Sequence, residues 1–92
     1  LLGRRRASRK RLDRLAEKLR RLLGRKGFRV VPGATLPSLV RQGVEKGYGA
    51  MPQLARLVVI LEEARWRPAA APDFAGMRRL LAEVASAPAV RR

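Results

Sequence analysis

The 92 residues include no cysteine and no histidine. Without cysteine there are no disulfides and no thiolate metal sites, and nothing points to an oxidising compartment. Without histidine the chain lacks the commonest general base and the commonest metal ligand. Aromatic residues make up only 4%, so a core must be built from Leu, Val and Ala. Acidic residues are scarce, with 7 Asp+Glu against 22 Lys+Arg. No apolar run reaches the roughly 18–20 residues that span a bilayer. No strand pattern emerges, because Arg29-Val30-Val31 is too short for one.

Carboxylate chemistry is also missing. Glu62 and Glu63 are adjacent, so on a helix their side chains point about 100° apart and form no acid–base pair. Gly47-Tyr48-Gly49 is followed by no Gly-Lys-Ser/Thr and is not a phosphate loop. The residues present suggest no enzyme, cofactor or metal site.

What the chain has is positive charge, unevenly placed. Residues 1–29 hold 13 basic and 2 acidic side chains, while residues 30–92 hold 9 and 5. A strongly basic arm therefore precedes a moderately basic body. Arg4, Arg5, Arg6, Arg9, Lys10 and Arg11 are the candidate phosphate contacts, whether the phosphates belong to lipid headgroups or to nucleic acid. Nucleic-acid binding is the less favoured of the two. No recognition-helix pattern, paired strand aromatics or zinc site accompanies the charge.

Apolar spacing predicts four helices. Leu12, Leu15, Ala16, Leu19, Leu22 and Leu23 recur at helical period, with Ser8 as N-cap, Glu17 and Arg21 as an i,i+4 pair, and Gly27 in the left-handed conformation that ends a helix. Arg14, Lys18, Arg21 and Arg25 fall opposite this stripe. A Pro32-Gly33 turn leads to Thr35 as N-cap, with Pro37 in the first turn of a second helix. That helix is expected to face inward through Leu36, Leu39, Val40 and Val44 and to stop at Gly47. A third helix spans 52–66, with Leu54, Leu57, Val58 and Leu61 inside. Its apolar surface is broad enough to place it at the centre of a bundle. Asp73 caps a fourth helix with Phe74, Met77, Leu81 and Val84 inward and Leu80 and Ala85 at the margin. The expected architecture is an all-α, small four-helix bundle with short loops. Residues 1–7 form its arm, 8–86 its body and 87–92 a disordered tail.

Trp66, the single tryptophan, stands between Arg65 and Arg67 just before Pro68. Packing over Val59 and the turn at Pro68, with the Arg67 stem alongside, is the favoured expectation. Stacking on a nucleic-acid base would need an exposed ring instead.

Three segments in order carry a family resemblance: a basic amphipathic helix, then PGATLPSLV, then LARLVVILEEARWRP. The chain resembles the small helical domain of unknown function at the C-terminus of bacterial membrane-bound transglutaminase-like proteins. That family has a proline-glycine turn, a threonine and a short helix before a long helix ending like Tyr-Glu-x-Ala-Arg-Tyr-Gly. Pro32, Gly33 and Thr35 match the first motif, and Glu62, Glu63, Ala64, Arg65 and Trp66 the second. Leu61 stands for the usual aromatic and Trp66 for tyrosine, and Ala34 replaces a common acidic residue. The resemblance covers roughly residues 10–85.

The resemblance implies a cytoplasmic domain that follows the last membrane helix of a larger protein. Leu1-Leu2-Gly3-Arg4-Arg5-Arg6 would be the inner end of that helix, although the same residues also read as a terminus without meaning. The transglutaminase-like Cys, His and Asp would lie outside this chain, and none of that chemistry carries over. The implied role is docking of a cytosolic protein partner, at the cytoplasmic face of the bacterial inner membrane. Arg65 and Trp66 would fix the end of the central helix, with Arg65 paired to a carboxylate.

Overall fold

A computed structural model describes residues 2–66 and 72–89, with side chains from residue 9 onward. The described residues contain four helices: α1 (Leu2–Arg25), α2 (Leu36–Lys46), α3 (Met51–Trp66) and α4 (Phe74–Ser86). They form a small all-α bundle around one core. α3 touches each of the other three, the central place that its broad apolar surface predicts. Leu54, Leu57, Val58 and Leu61 are all buried.

α1 buries the stripe read from its spacing. Leu12, Ala16, Leu19, Leu22 and Leu23 are inside, and Leu15 packs at the edge. Its start differs from expectation. The helix runs through Ser8 without a break and begins at Leu2, so Ser8 is no N-cap and the basic arm is helical. Residues 4–11 hold no proline or glycine to interrupt it, and arginine and lysine are good helix formers. Arg9, Lys10 and Arg11 are exposed, and the core starts one residue later at Leu12. The side chains of Arg4, Arg5 and Arg6 lie outside the described residues. Among the described residues no helix is long and apolar enough to cross a membrane.

Two helices end in the same way, and the core uses the likeness. After α1, Gly27 takes φ 95°. Its N–H reaches Gly24 O and the Phe28 N–H reaches Leu23 O at 2.9 Å. After α2, Gly47 takes φ 65°. Its N–H reaches Val44 O and the Tyr48 N–H reaches Gly43 O at 2.9 Å. Each is the paired-bond stop that satisfies the last carbonyls and turns the following side chain back onto the helix. Here those side chains are both aromatic. Phe28 and Tyr48 are buried and meet edge to face, with centroids 5.1 Å apart at 88°.

The connection between α1 and α2 is short and tied down. The Ala34 N–H donates to Val31 O at 3.0 Å, and Gly33 has φ 82°. Pro32-Gly33 therefore forms the centre of a turn that needs a glycine at its third position. Thr35 Oγ1 accepts from the Ser38 N–H at 3.2 Å, so the expected cap is in place. The Gln42 side chain donates to Arg29 O at 3.1 Å and accepts from the Arg29 N–H. That pair of bonds lashes the linker to α2.

The inward face of α2 is rotated from expectation. Gly43 is buried and Val44 is 65% exposed. The site is crowded, since a Cβ there would fall against Met51 Sδ and lie 3.2 Å from two Phe28 ring atoms. The valine at the next position turns to solvent.

α4 is capped by Asp73, whose Oδ1 accepts from the Gly76 N–H at 2.9 Å. Met77 and Val84 are fully buried, while Phe74, Leu80 and Leu81 pack at the rim. Ala85 is exposed. The end of α4 is held from two sides. Tyr48 Oη donates to Val84 O at 2.9 Å, and Lys26 Nζ donates to Ala87 O. Ala87, expected to begin the disordered tail, is packed against the core. Residues 90–92 lie outside the described residues.

Candidate functional site

The candidate surface is the solvent face of α1 together with the start of α4. Helical spacing places Arg11, Arg14, Leu15 and Lys18 on one side of α1, at i, i+3, i+4 and i+7. Phe74 and Arg78 lie at i and i+4 on α4. These six residues line a cleft of about 190 Å³ between the two helices. Leu15 and Phe74 are its apolar lining, and the other four lining side chains are cationic. The Arg11 guanidinium lies over the Phe74 ring, 3.8 Å from its centroid. That contact anchors the cation by attraction to the ring face.

The carboxylates near this cleft are engaged elsewhere. α1 has two, Asp13 and Glu17. Asp13 Oδ1 is 3.6 Å from Arg65 Nη2 on α3, and Glu17 Oε1 is 3.4 Å from Arg21 Nε. Asp73 caps α4. Among the described residues, the four cleft cations have no carboxylate within ion-pair distance. A charged surface of this kind concentrates anions. The Asp13–Arg65 pair also ties the end of α3 to α1, which is the carboxylate partner expected for Arg65.

Trp66 departs from expectation. Its ring is 71% exposed, and Val59 is itself 54% exposed. Trp66 therefore does not pack into the body. Arg67 and Pro68, on which the packed reading leaned, lie outside the described residues. The indole N–H donates to Glu62 Oε2 at 2.8 Å. The partner is one turn back on the same helix, so the bond orients the ring without burying it. Position explains the outcome. Trp66 is the last residue of α3 and lies off the stripe of Leu54, Val58 and Leu61, so no helix among the described residues covers it.

The remaining sequence-predicted positions divide by role. Pro32, Gly33 and Thr35 build the linker turn and the cap of α2. Glu62 and Arg65 hold the Trp66 ring and the end of α3 respectively. Arg9, Lys10 and Arg11 are exposed on α1, but only Arg11 reaches the cleft. Phe74 and Arg78 were not singled out as site residues by sequence. Their i,i+4 spacing was a readable signal, but which helix they face is not encoded locally. No protein-family model matches the chain, and no curated protein or solved structure matches it either.

Proposed function

We propose that this chain is a non-catalytic docking domain of a larger bacterial membrane protein, lying at the cytoplasmic face of the inner membrane with α1 along the anionic leaflet. The observation that carries the reading is the solvent face of α1. Arg9, Lys10, Arg11, Arg14 and Lys18 are exposed there, while Asp13 and Glu17 are occupied by other cations. Each such charge close to an anionic leaflet contributes about 1 kcal/mol of binding. The exposed Trp66 ring suits the same surface, because indoles favour the headgroup region. The resemblance of the PGATLPSLV and LARLVVILEEARWRP segments to the C-terminal domain of transglutaminase-like membrane proteins points the same way. The body would then present its other faces to a cytosolic protein partner.

The test is cosedimentation of the chain with vesicles of phosphatidylcholine alone and with added phosphatidylglycerol, at low and near-physiological salt. Binding is expected only to the anionic vesicles and should weaken as salt rises. Absence of binding even at low salt would overturn the reading.

Exposed Trp66 also supports a second reading, a small basic nucleic-acid-binding domain in which the ring stacks on a base. Trp66 fluorescence separates the two. Salt-reversible quenching by short single strands, without response to anionic vesicles, would favour nucleic acid.

A further inference from the structure

The cleft between α1 and α4 has features that a diffuse basic surface does not need. Its cations come from two helices rather than one, and they share the cleft with apolar Leu15 and Phe74. Arg11 is fixed over Phe74. A guanidinium held by its flat face keeps its in-plane N–H donors for an anion, in the fork geometry that matches phosphate. The volume of about 190 Å³ corresponds to about six water molecules. That is room for one phosphate and the few atoms attached to it. The Phe74 face on which a base would stack is covered by Arg11.

We propose that this cleft is a headgroup site for a single anionic phospholipid. The phosphate would sit among Arg14, Lys18, Arg78 and the donor edge of Arg11, with the adjoining glycerol carbons against Leu15. The site rests on the membrane-surface reading and sharpens it. Binding would be centred on one pocket rather than spread along α1.

The test compares two double variants that remove the same charge from exposed positions: Arg14→Gln with Arg78→Gln in the cleft, and Arg41→Gln with Lys46→Gln on α2, away from it. Unchanged circular dichroism and urea midpoints would confirm that both are folded. Affinity for vesicles of phosphatidylcholine with phosphatidylglycerol is then measured. The cleft variant should bind about thirtyfold more weakly than the unaltered chain and the other variant within about threefold of it, since the lost contacts differ in proximity to the lipid charge. Equal losses in the two variants would overturn the cleft site and leave the membrane-surface reading standing. No vesicle binding by the unaltered chain would overturn both. A cleft variant that loses affinity for a short DNA duplex, but not for vesicles, would also overturn the lipid assignment. As a direct arm, soluble glycerol phosphate titrated against the unaltered chain should shift the Phe74 and Arg78 NMR resonances. Shifts scattered over Arg9, Lys10 and Arg25 instead would count against the site.

Discussion

Tyr48 and Trp66 make the two ends of this molecule comparable. Each is an aromatic side chain with a polar hydrogen, each stands at or just past the end of a helix, and each donates one hydrogen bond. Tyr48 is buried, and its bond crosses the molecule to the Val84 carbonyl. Trp66 is exposed, and its bond returns to Glu62 on its own helix. Tyr48 therefore joins α2 to α4, while Trp66 joins nothing. The difference comes from the backbone beside each ring. Gly47 reverses the chain so that Tyr48 folds back over α2 and meets Phe28. Trp66 ends α3 on a flank that no helix among the described residues covers. The end built on Phe28, Gly43 and Tyr48 is packed. The end built on α1, Trp66 and the start of α4 carries exposed charge available to a partner.

The strongest way to break this contrast is to truncate one ring at each end. Phe28→Ala removes a buried ring at the junction of α1, α2 and α3, and it should cost about 3–5 kcal/mol in urea unfolding. Trp66→Ala should stay within about 0.5 kcal/mol. Comparable losses from the two would mean that the Trp66 ring is packed in solution.

A second change tests crowding at the packed end. Gly43→Ala would push a methyl against Met51 and the Phe28 ring, and overpacking of this kind costs about 1–3 kcal/mol. A calorimetric Tm at or above that of the unaltered chain would show that Met51 and Phe28 can move aside.

The Tyr48 hydroxyl gives a smaller and pH-dependent effect. Tyr48→Phe should cost about 1 kcal/mol at neutral pH, the usual worth of one buried hydrogen bond. Burial raises the Tyr48 pKa above its ordinary value of 10.0, because desolvation disfavours the phenolate. In the unfolded chain the phenol ionises first as pH rises. The folded state holds its proton longer, so this contribution is intact below pH 10 and is lost as pH climbs through the folded-state pKa. The stability difference between Tyr48→Phe and the unaltered chain should therefore shrink in alkali. A gap that stays constant across that range in denaturant titrations would place the hydroxyl in contact with water.

The smallest effect belongs to the ion pair at the charged end. Arg65→Ala should cost at most about 1 kcal/mol, since the Asp13 side chain is 57% exposed and solvent screens such pairs. High salt should erase much of the difference.

Local patterns were readable along most of the chain. The leucine stripe of α1, the Thr35 and Asp73 caps, the Gly27 and Gly47 stops and the four-residue inner face of α3 all follow from spacing within a helical turn or from a single backbone preference. The departures share a different cause. Ser8 looked like a cap because serine suits that position, but helical propensity on both sides carried the helix through it. Val44 looked like a core residue because it fits the helical period. Gly43 is inside instead because Phe28 and Met51 press against it. Phe28 and Tyr48 each follow a helix-ending glycine, a sign of a side chain folded back on its helix, but their meeting depends on how α1 and α2 are set together. Trp66 looked packable from its own helix, and its exposure depends on the absence of a covering neighbour.

The sequence by itself determined four helices, the inner stripes of α1 and α3, the Thr35 and Asp73 caps, the turn at Pro32-Gly33, and a charge imbalance concentrated in residues 1–29. These depend on interactions a few residues apart. Only the tertiary structure decided which cations share a cleft, which carboxylates are taken up by other partners, and which of two aromatic rings reaches water. Those outcomes depend on distances between helices such as α1 and α4, whose cleft residues are some sixty positions apart in the chain. No local periodicity fixes such distances, because they are set by how the buried faces pack together.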